Sequence, residues 1–239
     1  MHKVFHFKSL PSTQDKAKEL YKKGLSNIVV AADFQTKGKG RFNRKWHSGK
    51  GGLWLSIPLK LKNKEKPQYL TFIAAISVVE SIKKISKLKT SIKWPNDILY
   101  NKKKLCGILT KGIFGKDSFV IVGIGLNVNQ TKFPNEIRNT ATSLRMIKHR
   151  FFSIKSLMNE IINNFFFLYH DYYTKNELNH ITKLWKKHCG TIGKDIIVVT
   201  STKKIYGKAV GIDNNCSLLL KLKSKRIIRI AEGDIKIRY

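Results

Sequence analysis

The hydrophobic pattern divides this chain into alternating strand-like and helix-like stretches. Met1 to Phe7 alternates apolar and polar residues, without the long apolar core of a signal peptide. Ser12 reads as the N-cap of a helix over 13–23, with Asp15 three residues on and Gly24 as its stop. An apolar strand over 27–34 leads into a glycine-spaced loop. Beyond the loop Leu53, Leu55, Ile57 and Leu59 alternate cleanly, which predicts a half-buried strand. Pro67 precedes a helix in which Phe72, Ile76, Val79, Ile82 and Ile85 recur at helical spacing. Three further strands are expected at 91–94, 104–111 and 119–125. A long helix then shows Ile154, Leu157, Met158, Ile161, Phe165, Leu168 and Tyr172 on one face, and a shorter one over 177–188 uses Leu178, Ile181, Leu184 and Trp185. Phe165, Phe166 and Phe167 read as core packing rather than a ligand platform.

After Gly190 the period changes. Residues 196–200, 205–212, 217–222 and 227–230 are short β-rich runs. Turns at Ser201-Thr202, at Asp213-Asn214-Asn215 and over 223–226 separate them. This predicts a small all-β, barrel-like module at 190–239 behind a larger α+β module at 1–189, the larger one a mixed sheet with helices.

Composition adds one question. Lys and Arg total 47 against 15 Asp and Glu, a formal charge of +32. A nucleic-acid-binding surface is one reading. The other is a drifted composition, since lysine is spread over nearly every segment and no base-reading module is visible, and this second reading is favoured. The basic field still favours acidic substrates and acidic protein partners. Cys106, Cys189 and Cys216 are odd in number and lack Cys-x-x-Cys spacing, which fits a reducing, cytoplasmic setting rather than disulfides or structural zinc. No apolar run approaches the roughly 20 residues of a membrane span.

Two islands carry the candidate chemistry. In Gly38-Lys39-Gly40-Arg41-Phe42-Asn43-Arg44-Lys45-Trp46, glycines let backbone amides approach a ligand and the cations can neutralise phosphate. It is neither a Walker loop nor a Rossmann fingerprint, and a structural turn is the default for such a stretch taken alone. Its concentration of like charge is what argues for an anion, and Trp46 offers a flat aromatic for a base. In Lys93-Trp94-Pro95-Asn96-Asp97, a lysine is held beside a Trp-Pro turn where it can bridge a carboxylate and a phosphate. Asn96-Asp97 reads either as a bare turn or as a carboxylate that helps a magnesium ion or orients Lys93.

These islands, with their neighbours in order, resemble the biotin–protein ligases. Ser12-Thr13-Gln14 is similar to that family's Ser-Thr-Asn segment. The stretch from Gln35 to Trp46 is similar to its Gly-Arg-Gly-Arg-x-Gly-Arg-x-Trp adenylate loop, and Gly51-Gly52-Leu53-Trp54-Leu55-Ser56 to the strand after it. Lys93 to Asp97 matches Lys-Trp-Pro-Asn-Asp unchanged. Lys104-Leu105-Cys106-Gly107-Ile108-Leu109, Gly123-Ile124-Gly125-Leu126-Asn127-Val128 and Gly233-Asp234 follow in the family's order. Lys39 stands where the family commonly has Arg, and Asn43 where it often has Gly.

The resemblance implies a catalytic domain like that of class II aminoacyl-tRNA synthetases, followed by an SH3-like barrel. It implies that biotin and ATP form biotinoyl-AMP, that the biotinoyl group passes to a lysine of a carrier protein, and that Mg2+ accompanies ATP. Ser12, Thr13, Gln14 and Gln35 would then hold biotin's ureido ring. Lys39, Gly40 and Arg41 would grip carboxylate and phosphate, with Lys93 and Arg41 catalytic. Arg44, Trp46 and Asn127 would bind ATP, and Gly123 and Gly125 would leave room for the ligand. The expected acceptor is the biotin carboxyl-carrier protein of acetyl-CoA carboxylase. A ligase-only form without sequence-specific DNA binding is expected, no membrane partner, and a homodimer through an exposed sheet edge is open. The alternatives are lipoate–protein ligase, which uses the same acyl-adenylate chemistry, and a basic nucleic-acid-binding protein.

Overall fold

The computed structural model describes residues 2–61, 66–115, 118–200 and 203–237. Strand β1 (Lys3–Phe7) leads into helix α1 (Thr13–Lys22), and β2 (Ile28–Ala32) returns parallel to β1. The α1 start is where the sequence places it: the Ser12 hydroxyl accepts a hydrogen bond from the Asp15 amide at 3.4 Å. After the glycine-spaced loop come β3 (Gly52–Lys60) and α2 (Gln68–Ser86). Strands β4 (Ser91–Lys93), β5 (Asp97–Tyr100), β6 (Lys103–Ile113) and β7 (Phe119–Asn127) follow. They complete a seven-stranded mixed sheet of order β1-β2-β3-β7-β6-β5-β4, antiparallel throughout except for the β1–β2 pair.

Helix α2 is apolar nearly all round, and such a helix must be covered on every side. It lies between the sheet and helices α4 (Ile154–Leu168) and α5 (Leu178–His188), while a short helix α3 (Leu144–Lys148) precedes α4 in the chain. Phe72 of α2 stacks on Trp185 of α5 with ring centroids 4.2 Å apart. The opposite face of the sheet carries α1, whose Ala17 packs with Ile28, Val30, Phe119 and Ile121. This second cover explains a departure from the expected half-buried β3. Trp54, Ser56 and Pro58 are buried as well as the alternating leucines and isoleucine, because helices press on both faces.

Other expectations shift too. Asp97 is the first residue of β5 rather than part of a turn; the turn is 94–96, and β4 and β5 form a hairpin. The apolar stripe of α4 continues through a π-helical turn, Tyr169–Tyr173, so Tyr172 lies past the α-helix proper. Phe165 and Phe166 are buried, but Phe167 is exposed on the outer face.

The C-terminal module is a five-stranded antiparallel sheet, β8 (Asp195–Val199), β9 (Lys204–Ile212), β10 (Leu218–Lys221), β11 (Ile227–Ile230) and β12 (Asp234–Ile237). Its order is β11-β10-β9-β8-β12. The last strand was not anticipated: four residues after Gly233 are too few to show a period. The turn expected at Ser201-Thr202 lies outside the described residues. This sheet docks on the first module through specific bonds. The Trp94 indole donates to Cys216 O at 3.0 Å, and the Tyr69 hydroxyl to Asn214 O at 3.1 Å.

Candidate active site

The basic loop folds as a hairpin over a cleft. Trp46 N donates to Gly38 O at 2.9 Å and Gly40 N to Arg44 O at 2.7 Å. Phe42 and Asn43 close its tip with φ of 53° and 56°, the paired left-handed conformation of a tight hairpin turn. Asn tolerates that region well; a bulky Phe there is unusual. Beneath lies a cavity of about 400 Å³. It is walled by the start of α1, the hairpin, β3, β6, β7, the 133–141 segment and residues 234–236. Every residue that the sequence marked for ligand binding lines this one cleft.

One end is a hydrogen-bond network. Thr13 donates its amide and its hydroxyl to Gln35 Oε1 at 2.7 and 3.0 Å, and Gln35 Nε2 donates to Ser48 Oγ at 2.7 Å. Thr13 and Ser56 share a hydroxyl contact at 2.9 Å. Gln14 donates Nε2 to Leu109 O at 2.6 Å, while its Oε1 is buried with no hydrogen-bond partner among the described residues. An acceptor left in that state costs on the order of 1–3 kcal/mol, so this end is built for a donor. Gly123 is required here, because a Cβ would come 2.6 Å from Gln14 Nε2. The room expected at Gly123 for a ligand is therefore used to seat Gln14.

The other end is aromatic. Trp46 lies across Gly107 and Gly125; a Cβ on Gly107 would come 2.9 Å from the indole, and one on Gly125 would collide with Nε1. That nitrogen is buried and unpartnered among the described residues. Trp46 meets Trp54 edge-on at 6.4 Å, and the Lys104 ammonium stands 5.0 Å from its ring centroid. Phe133, Ile137 and Ala141 form the facing wall. The Asn127 amide, expected to read a base, donates to Thr142 O at 3.0 Å and so braces the loop that carries this wall.

Cations fill the middle, and most hold a carboxylate. Lys39 pairs with Asp15 at 2.6 Å, Lys104 with Asp97 at 2.6 Å, and Arg44 with Asp234, which also stands 3.6 Å from Arg41. Arg41 Nη1 further donates to Gly233 O at 3.2 Å and Asn96 Oδ1 at 3.3 Å. Lys93 differs: it is partly buried, and its ammonium makes no hydrogen bond or ion pair among the described residues. Burial lowers the Lys93 ammonium from its ordinary range, with Asp97 opposing, and lowers the Arg41 guanidinium, with Asp234 and Asp97 opposing. Cys106, in β6 behind the cleft wall, is fully buried and burial pushes its thiol up, which excludes a thiolate nucleophile there.

Lys104, Phe133, Ile137 and Asp234 line the cleft without a role assigned from sequence. Lys104 opens a recognised motif, so a signal existed. Gly233-Asp234 also belongs to that ordered likeness, but nothing in the local pattern says that Asp234 reaches the cleft from the far end of the chain.

The Biotin/lipoate A/B protein ligase family matches residues 4–129, and the Biotin protein ligase C terminal domain matches 191–238. The bifunctional ligase/repressor BirA of Bacillus subtilis is 38% identical over 244 residues, 99% of this chain and 74% of that protein. The biotin–[acetyl-CoA-carboxylase] ligase of Mycobacterium tuberculosis is 32% identical over 126 residues, 50% of this chain and 46% of its own. Among solved structures, the biotin protein ligase of Aquifex aeolicus in complex with biotin and ATP superposes with a TM-score of 0.88 at 30% identity. That match covers 100% of this chain and 99% of the other.

Proposed function

The chain belongs to the biotin/lipoate A/B protein ligase family and catalyses ATP-dependent biotin–protein ligation, and we propose that the cleft described above carries both half-reactions. In the first, a biotin carboxylate oxygen attacks the α-phosphorus of ATP, the bond to pyrophosphate breaks, and biotinoyl-AMP forms. In the second, an acceptor lysine amine attacks the acyl carbon; the bond to AMP breaks and AMP and a proton leave.

The observation that carries this reading is the unpaired Lys93. Arg41, Arg44, Lys39 and Lys104 each face a carboxylate, whereas Lys93 is held in the cleft without one. Two anions must meet there, and a preorganised cation between them lowers the barrier as charge redistributes. The unpartnered Gln14 Oε1 would accept from the ureido N–H of biotin, and Trp46 would cover the adenine. The hairpin above them would keep water from the mixed anhydride.

Magnesium is expected with the triphosphate. No group of three or more His, Cys, Asp or Glu among the described residues could hold a metal, and Asp97 and Asp234 are already matched by cations. That donor set suits an ion carried mainly on the nucleotide's own phosphates.

The acceptor is a biotin-carrier protein, and we take its finer identity to be the carrier of acetyl-CoA carboxylase. Residues 1–189 would form the catalytic domain and 190–239 the small second domain. We place the protein in the cytoplasm, in keeping with its three free cysteines. No helix of the described residues is long and apolar enough to cross a membrane. A homodimer would form through β1, the end strand of the large sheet. The β4 edge is already met by Gly190, whose amide donates to Ile92 O at 2.9 Å.

Lipoate ligation is not favoured: the first family model spans both acids, but the C-terminal match is to a biotin protein ligase domain and the similar proteins at 30% identity or more are biotin ligases. The test is transfer to a purified carrier domain with ATP and either acid: biotin is attached and lipoate is not. Equal attachment of lipoate would overturn the biotin assignment.

A further inference from the structure

We propose that Asp234 is a positioning residue that fixes Arg41 and Arg44, so that the C-terminal sheet holds the Gly38–Trp46 hairpin closed over the acyl-adenylate. The inference rests on the ligase reading. Asp234 pairs with Arg44 through one carboxylate oxygen, and its other oxygen stands 3.6 Å from Arg41 Nη1. The neighbouring Gly233 carbonyl, 192 residues from Arg41 in sequence, accepts from the same Nη1 at 3.2 Å. Nη1 is thus spent on the protein, while Nη2 and Nε keep no partner among the described residues and remain for a phosphate.

The carboxylate is itself held firmly. Asp234 opens β12 and lies opposite Val199 of β8. Gly233 turns the chain there with φ of +146°, and a Cβ on it would crowd Val198 and Val199 at 3.1 and 3.2 Å. With side chains only 20% and 30% exposed, Arg41 and Asp234 interact with less screening than a surface pair. Arg44 is 66% exposed, and alone its pair would contribute little.

A carboxylate in the wall of a phosphate-binding cleft repels the triphosphate. Its presence there needs a compensating role, and organising two arginines that meet the phosphate supplies one. On this account ligand takes Arg44 and the free nitrogens of Arg41, while Asp234 and Gly233 keep Nη1. The second domain then acts on how long the intermediate is retained, without touching its reacting atoms.

The experiment compares the full-length protein with Asp234→Asn and Asp234→Glu. ATP and biotin KM, thermal melting, and first-order release of biotinoyl-AMP by filtration are measured. Asp234→Asn is expected to raise ATP KM and the release rate by about tenfold each, the usual loss for a charge-assisted contact, with biotin KM within about twofold. Asp234→Glu should recover most of both. Arg44→Gln, which leaves the C-terminal sheet untouched, must move release in the same direction. ATP KM and release within about twofold of wild type in Asp234→Asn would overturn the inference, given the size of such contacts. So would a lowered ATP KM, which would make Asp234 a mere competitor of phosphate, or an equal defect in Asp234→Glu. Absence of biotinoyl-AMP in the wild-type control would overturn the ligase reading itself, and this inference with it.

Discussion

Lys93 and Asp97 are register partners across the β4–β5 hairpin, yet Asp97 gives its carboxylate to Lys104, at 2.6 Å. Lys93 therefore keeps an unpaired ammonium in a partly buried site. The neighbouring carboxylate helps it stay charged without occupying it. A cation so placed is costly to the fold and useful only to an anion that arrives later.

Replacing it separates the two effects. Lys93→Met is expected to slow biotinoyl-AMP formation by roughly 3 kcal/mol, about a hundredfold or more, in single-turnover assays. Its melting temperature should equal or exceed wild type at neutral pH. Burial lowers the Lys93 pKa in the fold, so the unfolded chain binds more protons. The cost of the charge is fully present below the folded pKa and fades as pH rises toward the ordinary 10.5. The stability gap between variant and wild type should therefore narrow at alkaline pH. A near-normal adenylation rate would remove Lys93 from the mechanism.

The same shift predicts an activity profile. Adenylate formation should fall on the alkaline side at a pH below an unperturbed lysine, as Lys93 loses its proton. Lys93→Arg stays charged at all these values and should lose that limb, whatever its absolute rate. An alkaline limb that persists unchanged in Lys93→Arg would assign it to another group.

Arg41 ties the hairpin to Asn96 and to Gly233, so Arg41→Gly should loosen the lid. Loss of a charge-assisted contact, about 1.5–3 kcal/mol, should fall on retention of biotinoyl-AMP more than on its formation. Filtration would then recover free adenylate, and a bystander protein with surface lysines would become biotinylated. Unchanged retention with unchanged acceptor specificity would contradict the lid.

Two glycines allow the ends of the cleft to be disturbed separately. Gly123→Ala pushes on the Gln14 amide and should raise biotin KM; Gly125→Ala pushes on the Trp46 indole and should raise ATP KM. Each change is expected to be about tenfold, the effect of overpacking by 1–3 kcal/mol at the contact, and each should leave the other KM nearly untouched. Steady-state kinetics with each substrate varied in turn checks this. A uniform loss with both substrates would mean that neither glycine marks a subsite.

How far the sequence could be read depended on whether the signal was local. The Ser12 cap, the buried period of α2 and Lys93 at the end of its strand are local, and each lands where its pattern places it. The hairpin strand β5 was missed because four residues beside a Trp-Pro turn look like turn. The second cover over β3 depends on α1 folding back, which alternation within β3 does not encode. Gly125 was read as space for ligand, when the space is filled by Trp46 from the hairpin. Asp234 stands in the ordered likeness through Gly233-Asp234, but its place at the site depends on Arg41 and Arg44, which lie nearly the whole chain away.

The central claim is that this cleft activates biotin as an adenylate, and isotopic exchange of pyrophosphate into ATP measures that step alone. With purified protein and Mg2+, exchange should depend strictly on biotin, fail with lipoate, and vanish in Lys93→Met. Exchange that proceeds without biotin, or none at all with biotin and ATP saturating, would contradict the account.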